Sequence, residues 1–251
     1  MIRSAVSGSV KNVDVPTAVA LSQANALTEA YGVRVRHIPN GVDTDMAVDA
    51  VAALQVLAGL ELDPGRYALF AAARVDPTKG CLDLIKAWRT MDCPTPLLVV
   101  GDLWHAPGYE SDLKAAADGM AIHFLPRTED KAVLAGLVAS ADVFVFPSTV
   151  EAMSMMLLEA MALGAPVLAS DIIENMQVIP DGAWSFVAGD SDDLARAYRE
   201  FKQESRVDVE ARCEERVRLV SDRYSWDAIV VEYGSAYVDA SQTRRSRRSR
   251  S

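Results

Sequence analysis

Two acidic residues, Glu151 and Glu159, stand in an otherwise apolar stretch with seven residues between them. Residues 143–146 predict a buried strand before them, and residues 153–163 predict a helix that contains Glu159. Open α/β sheets bind ligands just outside the carboxyl ends of their strands. Both carboxylates are therefore candidates for contacts with a polar ligand. Glu159 could instead be a helix-surface charge, but an unpaired carboxylate among Met and Leu residues is energetically unfavourable.

Two basic residues, Arg74 and Lys79, follow another predicted buried strand, at residues 67–73. An Arg side chain can donate two parallel hydrogen bonds to phosphate oxygens, and a Lys adds a compact positive charge. Fixed charge directed at a developing oxyanion is usually the largest contribution to catalysis. The pair is therefore a candidate phosphate-binding site, although two ordinary loop cations would give the same pattern.

Short apolar strands alternate with helical segments along most of the chain. The predicted strands cover residues 17–22, 33–38, 67–73, 97–101, 122–125, 143–146, 166–170 and 184–187. Short apolar strands between helices are typical of a parallel sheet covered by helices on both faces. The predicted fold class is therefore α/β, with a doubly wound parallel sheet of the Rossmann-like kind.

The segment from Phe144 to Ser170 resembles the donor-sugar site of the GT-B glycosyltransferases, in particular the retaining, family 4-like "glycosyl transferases group 1" that use nucleotide sugars. The resemblance rests on Glu-x7-Glu, on Phe-Val-Phe-Pro-Ser before it and on Ala-Met-Ala-Leu-Gly-Ala-Pro-Val at its end. The stretch from Ala73 to Gly80 is similar to the family's Gly-Arg-x4-Lys-Gly signature, with Ala73 in place of the first Gly.

This resemblance implies a role for each charged candidate. Arg74 and Lys79 would contact the donor diphosphate, and Glu151 would approach the donor sugar, so these three form the expected catalytic set. Glu159 would bind the ribose hydroxyls. Eight residues of helix rise about 12 Å, which is comparable to the distance from a donor sugar, past two phosphates, to the ribose.

Further donor contacts are implied for a run of small and apolar residues after Glu151: Ala152, Met153, Ser154 and Met155. The family often has Gly where this chain has Ala152 and Ser154, and both side chains are small enough for backbone amides to approach the ligand. Arg127 is the remaining donor-binding candidate, because residues 123–127 lie where the nucleotide base usually packs in the family.

The resemblance also implies a division of the chain. Residues 1–45 would be the remnant of an N-terminal, Rossmann-like acceptor domain with the interdomain link, and residues 46–224 the donor-binding domain. Residues 225–240 would form a terminal cross-over helix, and residues 241–251 a disordered Arg/Ser tail. The family's active site lies between two domains, so most of the acceptor domain is expected to be missing. Three explanations stay open: a split transferase whose partner chain supplies that domain, a truncated gene product, and a donor-binding module without activity of its own.

The implied activity is the retaining, metal-independent transfer of a hexose from a nucleotide diphosphate sugar to a glycan, lipid or small-molecule acceptor. No cofactor is expected, since the nucleotide sugar is the substrate. A catalytically silent nucleotide-sugar-binding subunit, a truncated transferase and a sugar-nucleotide epimerase of the same fold stay open as alternatives. An NAD-dependent dehydrogenase is disfavoured because no Gly-x-Gly-x-x-Gly follows a predicted strand.

Composition narrows the classes of protein further. The 251 residues carry a formal net charge of -10, which disfavours nucleic-acid binding. The three Cys and three His are dispersed, which argues against a zinc site or a disulfide framework and is typical of a reducing cytoplasm.

The first residues lack the apolar core of a signal peptide. No uncharged apolar run reaches about 18 residues, so at most peripheral membrane contact is expected.

The predicted terminal helix has one apolar face, formed by residues at helical spacing: Trp226, Ile229, Val230, Tyr233 and Tyr237. This face could pack on the rest of the chain, or it could be partly exposed and bind a partner. Full burial of Trp226 and Tyr237 within the chain would exclude the partner interface.

Overall fold

The computed structural model describes residues 10–104, 106, 108–153 and 155–248, with side chains described as far as residue 243. The chain divides into two compact units. The smaller unit combines the residues up to 43 with those from 221 onwards, and the larger unit is residues 44–220. The limits expected from the sequence were residues 45 and 224.

Short strands and longer helices alternate along the chain. The strands are β1 Thr17–Ala18, β2 Arg36–His37, β3 Ala68–Arg74, β4 Leu97–Asp102, β5 Ile122–Leu125, β6 Val143–Phe146, β7 Val167–Ser170 and β8 Ser185–Phe186. The helices are α1 Leu21–Tyr31, α2 Ala50–Gly59, α3 Cys81–Thr90, α4 Tyr109–Ala116, α5 Lys131–Ala139, α6 Met155–Ala162, α7 Ile173–Val178, α8 Ser191–Phe201, α9 Arg206–Tyr224 and α10 Trp226–Arg248.

The larger unit contains a six-stranded sheet in the order β5-β4-β3-β6-β7-β8, and all of its strand pairs are parallel. All four residues of β6 and of β7 are buried, as expected where helices cover both faces of a parallel sheet. Helix α3 packs against α4 and α8, while α5 packs against α2 and α6. The predicted α/β fold with a parallel sheet is confirmed.

The buried core beside α3 is organised around Trp88. Its ring lies 4.8 Å from the ring of Tyr198 on α8. Its indole N–H donates to the carbonyl of Thr95 at 2.9 Å, so the one polar atom of this large side chain is satisfied. This packing fixes α3, and with it the residues immediately before the helix.

Helix α2 has no counterpart among the predicted elements. Asp49 caps it by accepting a hydrogen bond from the backbone N–H of Ala52 at 2.9 Å. It packs closely on α5, where a Cβ placed on Gly136 would lie 2.7 Å from the Cβ of Ala53. Tertiary packing of small residues therefore stabilises a helix whose amphipathic pattern is weak.

The smaller unit pairs β1 and β2 in parallel and packs Ile38 against Ile229 and Ala236 of helix α10. On the same helix Trp226 is 51% exposed and Tyr237 is 74% exposed. The predicted apolar face is therefore only partly covered within the chain, and the partner interface stays a prediction.

The disordered tail predicted over residues 241–251 is wrong for residues 241–248, because α10 continues to Arg248. The hydroxyl of Ser241 donates to the carbonyl of Val238 at 2.8 Å, and that of Thr243 to the carbonyl of Asp239 at 3.0 Å. These hydroxyls are satisfied within the helix, and Arg has a high helix propensity. Residues 249–251 lie outside the described part of the chain.

Candidate functional site

The strand order reverses between β3 and β6. From β3 the chain moves outwards to β4 and β5, and from β6 it moves the opposite way to β7 and β8. The loops that leave β3 and β6 therefore diverge and leave a crevice at the carboxyl ends of these strands, which is where doubly wound sheets bind ligands. Arg74 is the last residue of β3, Lys79 lies on the loop that follows it, and Glu151 lies on the loop after β6.

The two loops are joined by backbone contacts. Gly80 has φ +70°, and a Cβ placed on it would lie 2.0 Å from the carbonyl oxygen of Pro147. The backbone N–H of Thr149 donates to the carbonyl of Thr78 at 2.8 Å. Asp76 shapes the first loop by accepting from the N–H of Thr78 at 2.9 Å. Glycine is needed at position 80 both for its conformation and for this close approach.

Lys79 and Glu151 form an ion pair across the crevice. The Lys79 Nζ lies 2.6 Å from the Glu151 Oε1, and the two side chains are only 26% and 10% exposed. Residues 72 positions apart in the chain are thus brought into direct contact. The pair places an ammonium group and a carboxylate side by side. A ligand that carries a phosphate and hydroxyl groups has a partner for each of them.

Arg74 is placed at the end of β3 by an irregular register. Its backbone pairs with Asp102 on β4, but the pairing shifts between Ala71 and Arg74. Gly101 allows this distortion, since a Cβ there would lie 2.0 Å from the carbonyl oxygen of Ala72. Such bulges redirect side chains near functional sites. The Arg74 side chain is exposed and has no ion-pair partner within the described residues, so its charge is available to an anion.

Glu159 lies on α6, half-buried among the buried residues Leu157, Leu158 and Ala160. Burial raises the pKa of its carboxyl group above the ordinary value, and the charge of Lys131 partly offsets this rise. Lys131 opens α5 directly after the cap Asp130 and was not among the predicted site residues. Its position at a helix start after a strand was the only signal in the sequence.

The remaining candidates have different surroundings. Ala152 is exposed and Met153 half-buried in the loop before α6, and Met155 is the first residue of that helix. Ser154 lies outside the described residues. Arg127 is exposed in the loop after β5, two strands away from β3 and so roughly 10 Å along the sheet edge. Within the described residues, Arg127 forms no hydrogen bond or ion pair with any other candidate.

The described residues contain no group of three or more His, Cys, Asp or Glu side chains placed to hold a metal ion. None of the helices described here combines the length and apolar character that crossing a bilayer requires.

Residues 66–203 match the family described as "Glycosyl transferases group 1", which is more than half of the chain. The chain belongs to this glycosyltransferase family. The match spans β3 to α8 and so includes the crevice and both of its loops. The predicted membership of the GT-B glycosyltransferases is confirmed, whereas the roles of the individual site residues stay predictions.

Two curated relatives are similar over two thirds of this chain or more. The chain is 33% identical over 219 residues to a phosphatidyl-myo-inositol mannosyltransferase of Mycolicibacterium smegmatis, covering 83% of this chain and 53% of that protein. It is 37% identical over 177 residues to the Mycobacterium leprae protein of the same name, covering 67% of this chain and 44% of the relative. The chain thus spans about half the length of the curated relatives it matches.

Solved structures show the same fold at low sequence identity. Anabaena Alr3699/HepE in complex with UDP superposes with a TM-score of 0.80 and 20% identity, covering 94% of this chain and 66% of that chain. A glycosyltransferase from Rickettsia africae superposes with a TM-score of 0.79 and 17% identity, covering 90% and 64%. The Rossmann-like sheet of the GT-B fold is therefore shared with both.

Proposed function

We propose that the chain holds the nucleotide-sugar donor of a retaining, metal-independent glycosyltransferase. The observation that carries the proposal is the contact between Lys79 and Glu151, which joins the two motif-bearing loops at the switch point of the sheet. A ligand that carries both a diphosphate and a sugar matches this pairing of a cation with a hydrogen-bond acceptor.

The leaving diphosphate would be stabilised by fixed positive charge. Arg74 lies exposed at the end of β3, and Lys79 lies on the crevice wall with its ammonium group already oriented. The N-terminus of α6 adds the positive end of a helix dipole. As the bond from the sugar C1 to the diphosphate oxygen breaks, its electron pair goes to that oxygen, and these groups stabilise the charge without a metal or another cofactor.

The two carboxylates would orient the rest of the donor. Glu151 accepts hydrogen bonds from sugar hydroxyls, and Glu159 accepts them from the ribose. The half-buried setting of Glu159 supports this role, because a desolvated carboxylate gains from hydroxyl donors that a ligand supplies. An acceptor hydroxyl then bonds to C1 on the face that the diphosphate leaves, and its proton passes to the departing diphosphate oxygen. Bonding on that face retains the configuration.

An acceptor-binding domain on a partner chain is part of the proposal. The relatives are about twice as long as the region that they share with this chain. Those relatives are named as mannosyltransferases that act on phosphatidyl-myo-inositol. A mannose donor is therefore the first to test. A second candidate function is a nucleotide-sugar-binding subunit without activity of its own, and turnover by the isolated chain would exclude it.

The direct test is the thermal stability of the purified chain with UDP, GDP and ADP and with GDP-mannose, UDP-glucose and ADP-glucose, each with and without EDTA. We expect one nucleotide to raise the melting temperature in both conditions and to lose its effect in Lys79→Ala and Glu159→Ala. Lys86→Ala is the matched control, because Lys86 is paired with Asp83 on the surface of α3. The proposal is wrong if no nucleotide binds, and its metal independence is wrong if EDTA abolishes the shift.

A further inference from the structure

A line of buried hydrogen bonds lies beneath the loop that carries Glu151. The hydroxyl of Ser170, the last residue of β7, donates to the backbone carbonyl of Ser148 at 2.5 Å. The side-chain amide of Asn175 on α7 donates to the same Ser170 hydroxyl at 2.9 Å and to the Ser170 carbonyl at 3.1 Å. Ser148, Ser170 and Asn175 are each at most 1% exposed.

The direction of each bond in this line is fixed by chemistry. The carbonyl of Ser148 can only accept, so the Ser170 hydroxyl must donate its single proton there. The Ser170 carbonyl can also only accept, so the atom of Asn175 that faces it must be the NH2 group, and the same group serves the Ser170 hydroxyl. The two side chains and two carbonyls therefore have one consistent arrangement rather than several interchangeable ones.

This arrangement contributes more to geometry than to net stability. Replacing both partners of a buried hydrogen bond by apolar groups of the same shape is often neutral, because burying polar groups requires desolvation. The Ser148 hydroxyl is itself buried and finds no hydrogen-bond partner within the described residues. Burying polar side chains at the start of this loop therefore stabilises the fold less than apolar packing would. Buried polar groups of this kind instead impose a specific local structure.

These hydrogen bonds hold the first residues of the loop that carries Glu151. Ser148 is held from below by Ser170, and the next residue, Thr149, is held from the other side through its N–H bond to Thr78. Glu151 follows two residues later and pairs with Lys79. Ser148 and Thr149 are thus held from opposite sides of the loop, with one residue between them and Glu151.

We propose that Ser170 and Asn175 are positioning residues for the donor site. They fix the carbonyl of Ser148, and through it the loop that presents Glu151 to the sugar. The part of this proposal that concerns the sugar rests on the proposed function, whereas the part that concerns the loop does not.

The first test is hydrogen exchange of the full chain, read on peptides that cover residues 147–153. The variants are Ser170→Ala, which removes the hydroxyl, and Asn175→Leu, which replaces the amide by an apolar group of similar shape. Ser185→Ala is the matched control, because its hydroxyl donates to the carbonyl of Gly182 at 2.7 Å on the neighbouring strand and has no bond to this loop.

We expect exchange in residues 147–153 to become about threefold to tenfold faster in Ser170→Ala and Asn175→Leu, the effect of one lost hydrogen bond, and to be unchanged in Ser185→Ala. The proposal is overturned if the loop exchanges at the wild-type rate in both test variants, or if the control accelerates it equally. The use of two variants with different chemistry separates loss of the bond from a packing defect at one position.

The second test compares the affinities of a nucleotide sugar and its nucleoside diphosphate, using UDP-glucose with UDP and GDP-mannose with GDP. Because Glu151 faces the sugar in the proposed function, the two test variants should lose about threefold to tenfold more affinity for the nucleotide sugar than for the diphosphate. If the two residues had a purely structural role, the affinities for both ligands would fall equally. That result would overturn the proposal that they position Glu151 for the sugar. If the wild-type chain binds no nucleotide, the proposed function fails, and the exchange result still decides whether the loop is positioned.

Discussion

Replacing Glu151 by Gln removes one charge of the ion pair with Lys79 and preserves the shape of the side chain. At the observed 2.6 Å between Nζ and Oε1, the attraction is about 6 kcal/mol for an effective dielectric constant of about 20. Most of this is offset, because both ions leave water when the pair forms. Since the Lys79 side chain stays 26% exposed, we expect a net coupling of about 1–3 kcal/mol.

The expected loss of stability in Glu151→Gln is about 1–2 kcal/mol, which corresponds to a fall in melting temperature of about 2–8 °C for a unit of this size. Urea unfolding followed by circular dichroism measures it directly, and a double-mutant cycle with Lys79→Met gives the coupling itself. Glu110→Gln is the matched control. Glu110 pairs with Lys114 at the same 2.6 Å, but on an exposed surface, so its removal should change stability by about 0.5 kcal/mol or less.

The same substitution should strengthen the binding of a nucleoside diphosphate. In the wild-type chain the diphosphate must compete with Glu151 for the Lys79 ammonium group, whereas in Glu151→Gln that competitor is neutral. We expect a gain of about threefold to tenfold in the affinity for the diphosphate, equivalent to about 0.6–1.4 kcal/mol, measured by isothermal titration calorimetry. Lys79→Met should weaken it.

Two results would refute this reasoning. A coupling energy below about 0.5 kcal/mol would mean that the pair behaves like an exposed surface contact. Equal weakening of diphosphate binding by Glu151→Gln and Lys79→Met would mean that the two residues cooperate on the phosphates instead of competing.

Three further predictions follow from single residues. Burial raises the pKa of Glu159, so the native state binds a proton more tightly than the unfolded state, and stability falls as pH rises from the ordinary pKa through the raised one. In urea titrations at several pH values, the stability of Glu159→Gln should not show this fall. If the variant has the same pH profile as the wild type, the fall does not come from Glu159. Gly80→Ala should destabilise the fold by about 2–4 kcal/mol because of its positive φ and the carbonyl of Pro147. Gly65→Ala, with a similar φ and open space around it, should lose only about 1 kcal/mol, and equal losses would exclude the close contact as the cause. Arg74→Ala should leave the melting temperature unchanged within about 1–2 °C but weaken nucleoside diphosphate binding about tenfold to a hundredfold, and unchanged calorimetric affinity would remove Arg74 from the site.

Local sequence determined the elements that carry the candidate site. The uninterrupted apolar run of β6 could only be a strand buried on both faces, and the residues after it had to lie at the carboxyl edge of the sheet. The same reasoning placed Arg74 at the end of β3. These inferences succeeded because they depend on side-chain pattern over a few neighbouring residues.

Elements stabilised by distant partners escaped the sequence analysis. Helix α2 is defined by its close packing on Gly136 of α5, more than 70 positions away. The continuation of α10 beyond residue 240 escaped for a different reason, because the composition of that segment is typical of a disordered tail. The packing partner of α2 is not encoded in a short-range pattern, whereas the end of α10 was misjudged because composition was given more weight than helix propensity.

By itself, the sequence determined which residue types stand at the ends of which strands, and hence the chemistry that this chain offers. Only the tertiary structure decided that β3 lies beside β6, that the Lys79 ammonium reaches the Glu151 carboxylate, and that the Ser170 hydroxyl, itself bonded to Asn175, donates to the carbonyl of Ser148. The physical reason is that strand order is a non-local property. The hydrogen bonds between parallel strands are nearly the same whichever strands are paired, so the packing of helices on the whole sheet selects the neighbours.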